Sequence, residues 1–360
     1  MKKRLGMLLA AAVTAGALAG CSTKPADTAK ETTTAAETTK AAEETTAGEG
    51  TAAGIKTGLA VVSSLEKSKD AKDKDGTAQV DSVAAAVILD EDGRILNCVL
   101  DTAQSMMAFT SEGKVADALD KEFQTKKELK EDYGMNAVSS IGKEWYEQAQ
   151  ALEEYVIGKT IEEVQGIAVD ESTVPTDEDL ASSVTVKIGD YVEAIAQAAD
   201  NAHVIGTGKG DKLGLGIVTT MEKSKDAKDG KDGQCQADSI YTVVTTAEDG
   251  TITSTIIDAT QGIVTFDANG KITSDLTAGV RTKRQLGDEY GMKNASQLGK
   301  EWYEQAASME AFVTGKTLEE VKGIAVREDG KTEDEDLASS VTIAVGGFQS
   351  AIEKAVNNAR

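Results

Sequence analysis

Histidine, cysteine, proline and aromatic residues are scarce in this sequence. Its 360 residues include one histidine, three cysteines and two prolines, and aromatic residues make up 4%. The single histidine, His203, excludes most histidine-based catalysis and histidine-rich metal or haem sites. The chain also lacks a P-loop, a dinucleotide-binding fingerprint and a Gly-x-Ser-x-Gly nucleophile elbow. No catalytic or metal-binding residue can therefore be assigned from motifs.

Basic residues are also in short supply relative to acidic ones. The chain has 38 Lys and Arg against 61 Asp and Glu, which gives a net charge of -23. Such a chain repels phosphate backbones, so we predict no nucleic-acid partner. Because anionic lipid headgroups repel it as well, attachment to a membrane would require a separate anchor.

The first residues contain no apolar run long enough to span a bilayer. Leu5–Ala17 is apolar but short, and it follows the basic residues Lys2, Lys3 and Arg4. The next four residues, Leu18-Ala19-Gly20-Cys21, resemble a bacterial lipobox. That resemblance implies a signal peptide over residues 1–20, a lipid on Cys21 and attachment to the extracellular face of the cell membrane. The alternative is an ordinary secretion signal with a chance cysteine.

Residues 21–54 lack aromatic residues and any apolar period. They are almost entirely Thr, Ala, Glu and Lys, a composition that buries too little surface to offset the entropy lost on ordering. We predict a disordered tether between the lipid anchor and the folded part. A marginal helix is the alternative, which the many threonines disfavour.

The rest of the chain contains an internal repeat. DEDLASSVT occupies residues 177–185 and again 334–342, and GKEWYEQA occupies 142–149 and again 299–306, with the same offset of 157 positions. A period this long indicates two tandem domains rather than a solenoid. We place them at residues 55–205 and 211–358, joined by a Gly-rich linker at 206–210.

The predicted fold class is α+β, with a small antiparallel sheet packed against helices in each copy. Strands are predicted at Thr57–Leu65, Val80–Leu89 and Arg94–Leu100, with a turn at Asp90–Gly93. Helices are predicted from apolar stripes at spacings of three and four. These stripes are Ile141, Trp145, Ala149, Leu152 and Val156, and Leu298, Trp302, Ala306, Met309 and Val313. Thr160 and Glu163 predict a capping box for a second helix, and Tyr191 and Phe348 lie on the last one.

Cys98 and Cys235 do not occupy matching positions in the two copies. They are therefore neither a shared metal site nor a disulfide common to both copies. One bridge between the copies and two free thiols both remain open.

The DEDLASSVT motif, between a helix and a last helix opened by Gly and an aromatic residue, resembles the FMN-binding domain of bacterial flavoproteins. That family's signature is Asp, two variable residues, Ser or Thr, Gly, Ala or Ser, and a Thr that a flavin transferase esterifies with FMN phosphate. Asp179, Ser182 and Thr185 match it. In the second copy, Asp336, Ser339 and Thr342 do. Ser183 and Ser340 stand where the family has Gly, which allows a close approach to phosphate.

The resemblance implies FMN as the cofactor, held covalently or non-covalently by the motif residues. It further implies an electron carrier in extracellular electron transfer rather than an enzyme with its own substrate. Its partners would be a flavin transferase and a membrane redox protein. The alternative is a ligand-binding or cell-surface scaffold module that has lost flavin. In that case Leu180, Val184 and Val186 would form a buried strand, and Asp179 and Ser182 would brace a turn.

Other residues carry weaker signals. Trp145 and Trp302 lie on the apolar stripes, so a core position is favoured over an aromatic wall for a flat ring. Tyr146 and Tyr303 lie off the stripes and are candidates for a ligand surface. The Asp73–Asp81 loop resembles a calcium loop but lacks EF-hand spacing, so a charged turn is the better interpretation.

Two basic islands stand out in the acidic chain, at residues 125–127 and 282–284. Each can attract an anion such as the FMN phosphate, or begin a helix with its charges facing water. The second copy has Gly346-Gly347 after its motif where the first has Gly189-Asp190. This difference suggests that the second copy is the more competent one.

Overall fold

The computed structural model describes residues 54–360. The predicted signal peptide, Cys21 and the predicted tether up to residue 53 lie outside the described residues. The described residues belong to one compact unit. Among the described residues, no helix combines the length and apolar character needed to cross a membrane.

Two similar sheet–helix units follow one another along the chain, which makes the fold mixed α+β. Unit 1 begins with three antiparallel strands in the order β1-β2-β3: β1 Lys56–Ser64, β2 Gly76–Leu89 and β3 Ile95–Phe109. Its helices are α1 Lys126–Leu129, α2 Trp145–Val156, α3 Ile161–Gln165, α4 Glu178–Ala181 and α5 Gly189–Asp200.

Unit 2 has the same order of elements. Its strands are β4 Lys212–Thr220, β5 Gly233–Thr246 and β6 Ile252–Phe266, and they pair in the order β4-β5-β6. Its helices are α6 Lys283–Leu286, α7 Trp302–Val313, α8 Leu318–Lys322, α9 Glu335–Ala338 and α10 Gly346–Asn357.

The two sheets pack against each other, and the long helices cover their outer faces. On the inner faces, Leu59, Val61 and Ala86 of unit 1 share one apolar cluster with Leu215 and Val243 of unit 2. On the outer faces, separate clusters join each sheet to the helices of its own unit. The layers therefore run helix, sheet, sheet, helix. Because both faces of each sheet are covered, the central strands are buried along most of their length.

The strand pairs approach closely where the two sheets meet. A Cβ built on Gly262 of β6 would lie 2.6 Å from Val80 Cγ1 of β2. A side chain at this position would therefore push the sheets apart. The constraint on this glycine comes from the other unit and leaves no local sequence pattern.

Reciprocal hydrogen bonds join the two units at the ends of the strands. The Ala71 N–H donates to Gly270 O at 2.8 Å, and the Ala227 N–H donates to Gly113 O at 2.7 Å. Both donors lie in the acidic–basic loops that precede β2 and β5. The loop between β1 and β2 thus contacts the other unit through Ala71. Among the described residues there is no cluster of metal-ligating side chains.

Several predicted elements differ in their bounds. β3 runs to Phe109 rather than ending at Leu100, because the sheet is buried on both faces and continues beneath the other unit. The helix predicted from Ile141 begins at Trp145, where Glu144 forms its capping box. The capping box of Thr160 with Glu163 is confirmed.

The buried-strand interpretation of Leu180, Val184 and Val186 is wrong, because Leu180 is helical and the other two lie outside any strand.

Both cysteines that lie in the described part are free thiols. Cys98 lies in β3 and Cys235 in β5, and both are buried. Burial raises the pKa of Cys235 to about 12 and that of Cys98 further. These thiols therefore stay protonated and act as small apolar core residues.

Candidate functional site

The repeated DEDLASSVT segment folds into a short capped helix followed by an extended stretch. The side chain of Asp177 accepts hydrogen bonds from the N–H groups of Asp179 and Leu180, and Asp334 does the same for Leu337. Leu180 and Leu337 are buried beneath these turns. Helix capping and the burial of these leucines therefore account for much of the sequence of this segment.

A buried glutamine fixes the end of the motif in each unit. The Thr185 N–H and hydroxyl donate to Gln148 Oε1 at 2.8 and 3.2 Å. Likewise, the Thr342 N–H and hydroxyl donate to Gln305 Oε1 at 2.8 and 3.3 Å. Both glutamines lie on the long helices α2 and α7 and are fully buried. They tie the two predicted flavin-bearing threonines to the core.

The remaining predicted site residues lie near the surface. The hydroxyls of Ser182 and Ser339 donate to the carbonyls of Asp179 and Asp336, which closes each helical turn. The carboxylates of Asp179 and Asp336 are exposed and accept no hydrogen bond from a described residue. Neither Ser183 nor Ser340 is in the left-handed region, so this backbone does not require glycine there.

A cleft in unit 2 lies close to the second copy of the motif. It has a volume of about 590 Å³, within the range of small-molecule pockets. Strand residues, the start of α6 and the start of α10 form its walls. Its lining includes Ile240, Lys283, Tyr290, Trp302, Gly347 and Phe348. Ile343 and Ala344 line it too, directly after Thr342, but none of the eight predicted motif residues does.

Lys283 is the central cation of this cleft. Its Nζ lies 4.8 Å from the ring centroid of Tyr290 and 5.0 Å from that of Trp302. No described carboxylate forms an ion pair with it. Burial lowers the pKa of Lys283 to about 8. An ammonium held between aromatic rings without a counterion is well placed to pair with an anion.

The second cation of the cleft is already paired. Lys223 Nζ lies 2.7 Å from Asp238. At the rim, Asp329 pairs with Arg327 at 2.9 Å. Lys283 is therefore the lining cation left for a ligand among the described residues.

Gly347 gives the cleft part of its space. A Cβ built there would lie 2.6 Å from Ile240 Cδ1, so a side chain would fill the wall. Unit 1 has Asp190 at this position and the smaller Val83 opposite it. In addition, α10 has no acidic residue in its first turn whereas α5 has Asp190. The positive end of α10 thus favours an anion more than that of α5.

Unit 1 has a corresponding cleft of about 420 Å³. Lys126 matches Lys283, and its Nζ lies 4.9 Å from the Tyr133 centroid and 5.5 Å from that of Trp145. Lys67 pairs with Asp81 at 2.6 Å, as Lys223 does with Asp238. The two clefts thus share their cations and differ in their anions and size.

The basic islands are helix starts, as one of their two interpretations predicts. Thr125 and Thr282 form capping boxes. The lysines do not face water, however, because Lys126 and Lys283 cover aromatic rings. The sequence of each island indicates a cation at that position, but only the fold shows which residues surround it.

The two tryptophan candidates are buried, whereas the two tyrosine candidates lie at the surface. Trp145 is buried, and its Nε1 donates to the Tyr191 hydroxyl at 2.9 Å. Trp302 is buried too, but faces Phe348, which offers no acceptor, and also lines the unit 2 cleft. Tyr146 and Tyr303 bond to surface carboxylates and do not line the clefts. Trp302 thus belongs both to the core and to the cleft wall, and Phe348, which sequence reasoning placed only on the last helix, also lines the cleft.

Comparison with known proteins gives little guidance. No family model matches the chain, and no solved structure matches it. A chlorophenol reductase from Desulfitobacterium hafniense is 35% identical over 91 residues. The aligned segment covers 22% of this chain and 28% of that protein. This partial match does not assign the chain to a family.

Proposed function

We propose that this chain is a lipid-anchored electron carrier at the extracellular face of the membrane, with FMN bound in the unit 2 cleft. The observation that carries the proposal is Lys283, an unpaired ammonium between the rings of Tyr290 and Trp302. FMN combines a phosphate with a flat aromatic ring, and this cleft offers a cation and aromatic walls.

The residues of the cleft fit such a ligand. Lys283 would pair with the phosphate, and Trp302 and Phe348 would contact the ring system. Gly347 supports the fit, because it leaves a wall open that a Cβ would fill. When bound, FMN supplies one- or two-electron transfer. The protein would bind it, orient it and exclude water with its apolar walls.

The anchor and the partners rest on the sequence. The lipobox-like quartet ending at Cys21 supports attachment to the cell membrane, and the predicted tether would hold residues 55–360 away from it. The redox partner would then be a membrane protein. A flavin transferase is a partner only if Thr342 or Thr185 carries FMN covalently.

We further propose that the units are copies of one domain, with bounds at 55–205 and 211–358. The shared order of elements and the identical nine-residue motif support this. In this proposal unit 1 fits the second candidate, a ligand-binding or scaffold module without flavin. Asp190 supports this, since its carboxylate lies where the unit 2 cleft has Gly347.

An FMN titration tests the proposal. The chain from residue 22 onward is titrated with FMN, and its flavin fluorescence is followed. We expect one site per chain, weakened at least tenfold in Lys283→Met, since a charge-assisted contact contributes roughly 1.5 to 3 kcal/mol. The matched control is Lys126→Met, which should leave the affinity unchanged. Absence of FMN binding, or equal weakening in both variants, would contradict the proposal.

Intact mass then separates the two modes of attachment. The same chain is produced in a secreting host with a flavin transferase, beside Thr342→Val and Thr185→Val. A mass gain of one FMN that disappears in Thr342→Val indicates a covalent flavin. An unchanged mass together with saturable binding indicates a non-covalent one.

A further inference from the structure

We infer that the unit 1 cleft binds a small α-amino acid with an apolar side chain. The inference does not depend on flavin binding in unit 2. Three groups of this cleft carry it: the ammonium of Lys126, the carboxylate of Asp190 and the hydroxyl of Thr102.

The two charges lie in one cleft without pairing. Lys126 and Asp190 both line it, yet neither forms an ion pair with any residue in the described part of the chain. Two other oppositely charged residues of the cleft, Lys67 and Asp81, form an ion pair with each other at 2.6 Å. Opposite charges that line one cleft without pairing match a ligand that carries both charges itself. In an α-amino acid, the carboxylate would face Lys126 and the ammonium would face Asp190.

Thr102 adds an independent observation. Its side chain is only 3% exposed, and its Oγ1 has no hydrogen-bond partner. A buried hydroxyl without a partner costs free energy, and rotation of the Thr102 side chain toward the cleft would let a ligand supply the missing bond. Unit 2 has Ala259 at the corresponding position. The hydroxyl is therefore a feature of unit 1, as the unpaired Asp190 is.

The remaining surface of the cleft determines the kind of side chain. Val62, Val83 and Leu276 contribute apolar lining. With a volume of about 420 Å³, the cleft has room for a small ligand. An aliphatic side chain would cover these residues and remove their apolar surface from water.

Calorimetric titration of the chain from residue 22 onward with L-leucine tests the inference. We expect one site per chain. Two analogues serve as ligand controls: 4-methylpentanoate, which lacks the amino group, and 3-methylbutylamine, which lacks the carboxylate. Each should bind at least tenfold more weakly, because one charged contact is missing.

Matched variants locate the site. Lys126→Met and Asp190→Asn should each weaken leucine binding about tenfold, and Thr102→Val by roughly threefold to tenfold. Lys283→Met should leave it unchanged, which separates this site from the FMN site. Urea unfolding of each variant shows whether the fold is intact. The inference is overturned if neither leucine, valine nor alanine binds at millimolar concentration, or if folded Lys126→Met binds leucine as the unaltered chain does.

Discussion

Phe109 and Phe266 stack face to face between the two sheets, with ring centroids 4.4 Å apart and an interplanar angle of 6°. Each ends the last strand of its unit, and both are fully buried. They belong to a cluster that contains residues of both units, including Leu65 and Met221. The stack therefore contributes to the stability of both units at once.

Phe266→Ala should destabilise the whole described part of the chain rather than unit 2 alone. Removing a buried phenyl ring costs about 3 to 5 kcal/mol through lost burial and a cavity. Because the ring contacts unit 1, we expect a single shifted urea transition. Tryptophan fluorescence follows both units, through Trp145 and Trp302. Two separate transitions, with unit 1 unaffected, would contradict this coupling.

Gln305→Leu should loosen the second copy of the motif. The side chain accepts from the N–H groups of Thr342 and Ile343, and its loss leaves these partly buried donors unpaired. We expect a loss of roughly 1 to 3 kcal/mol in the free energy of unfolding. Hydrogen exchange measured by mass spectrometry should increase at residues 341–345. Gln148→Leu, the same change in unit 1, serves as the control; equal exchange at residues 341–345 in both variants would argue against this role.

Features that depend on local interactions could be predicted from the sequence, whereas features that depend on contacts between distant residues could not. The hairpin at Asp90–Gly93 was predictable, because its signals are local: Asp90 accepts from Arg94 N–H and Gly93 has a φ of 77°. The helix stripe through Trp145 was predictable for the same reason. The packing of sheet on sheet was not, because a strand buried on both faces shows no period that identifies its second partner.

The candidate site was harder to predict than the fold. The motif drew attention to Thr342, whose hydroxyl is held by Gln305 outside the cleft. The basic island at residues 282–284 was the better signal, since Lys283 lines the cleft. Lys283 is distinctive because it lies over the ring of Trp302. A contact between residues this far apart in sequence leaves no local pattern.

Asp101 should make the stability of the protein fall as the pH rises from about 4 to 6. Burial raises the pKa of Asp101 to about 6, although Lys127 opposes this shift. The unfolded chain releases the proton near pH 3.9, so between these values the folded state binds more protons and loses stability with rising pH. The loss amounts to about 3 kcal/mol.

Asp101→Asn should remove this dependence. The amide keeps the oxygen that accepts from the N–H groups of Thr102 and Lys127. Urea unfolding at pH 4 and pH 7 checks the expectation: relative to the unaltered chain, the variant should gain stability on going to pH 7. A constant difference between the two proteins at both pH values would show that Asp101 is not the responsible group.

Lys283 should give FMN binding a pH dependence in the alkaline range. Burial lowers the pKa of this ammonium to about 8, so in the free protein it loses its charge as the pH passes that value. An anion pairs with the charged form alone, and so the affinity should fall about tenfold per pH unit above pH 8. Lys283→Arg keeps its charge to higher pH and should shift the decline upward, while Lys283→Met should bind weakly at every pH. Fluorescence titrations between pH 7.5 and 9.5, where FMN keeps its phosphate charge, measure this. A flat affinity for the unaltered chain would show that the phosphate does not pair with Lys283.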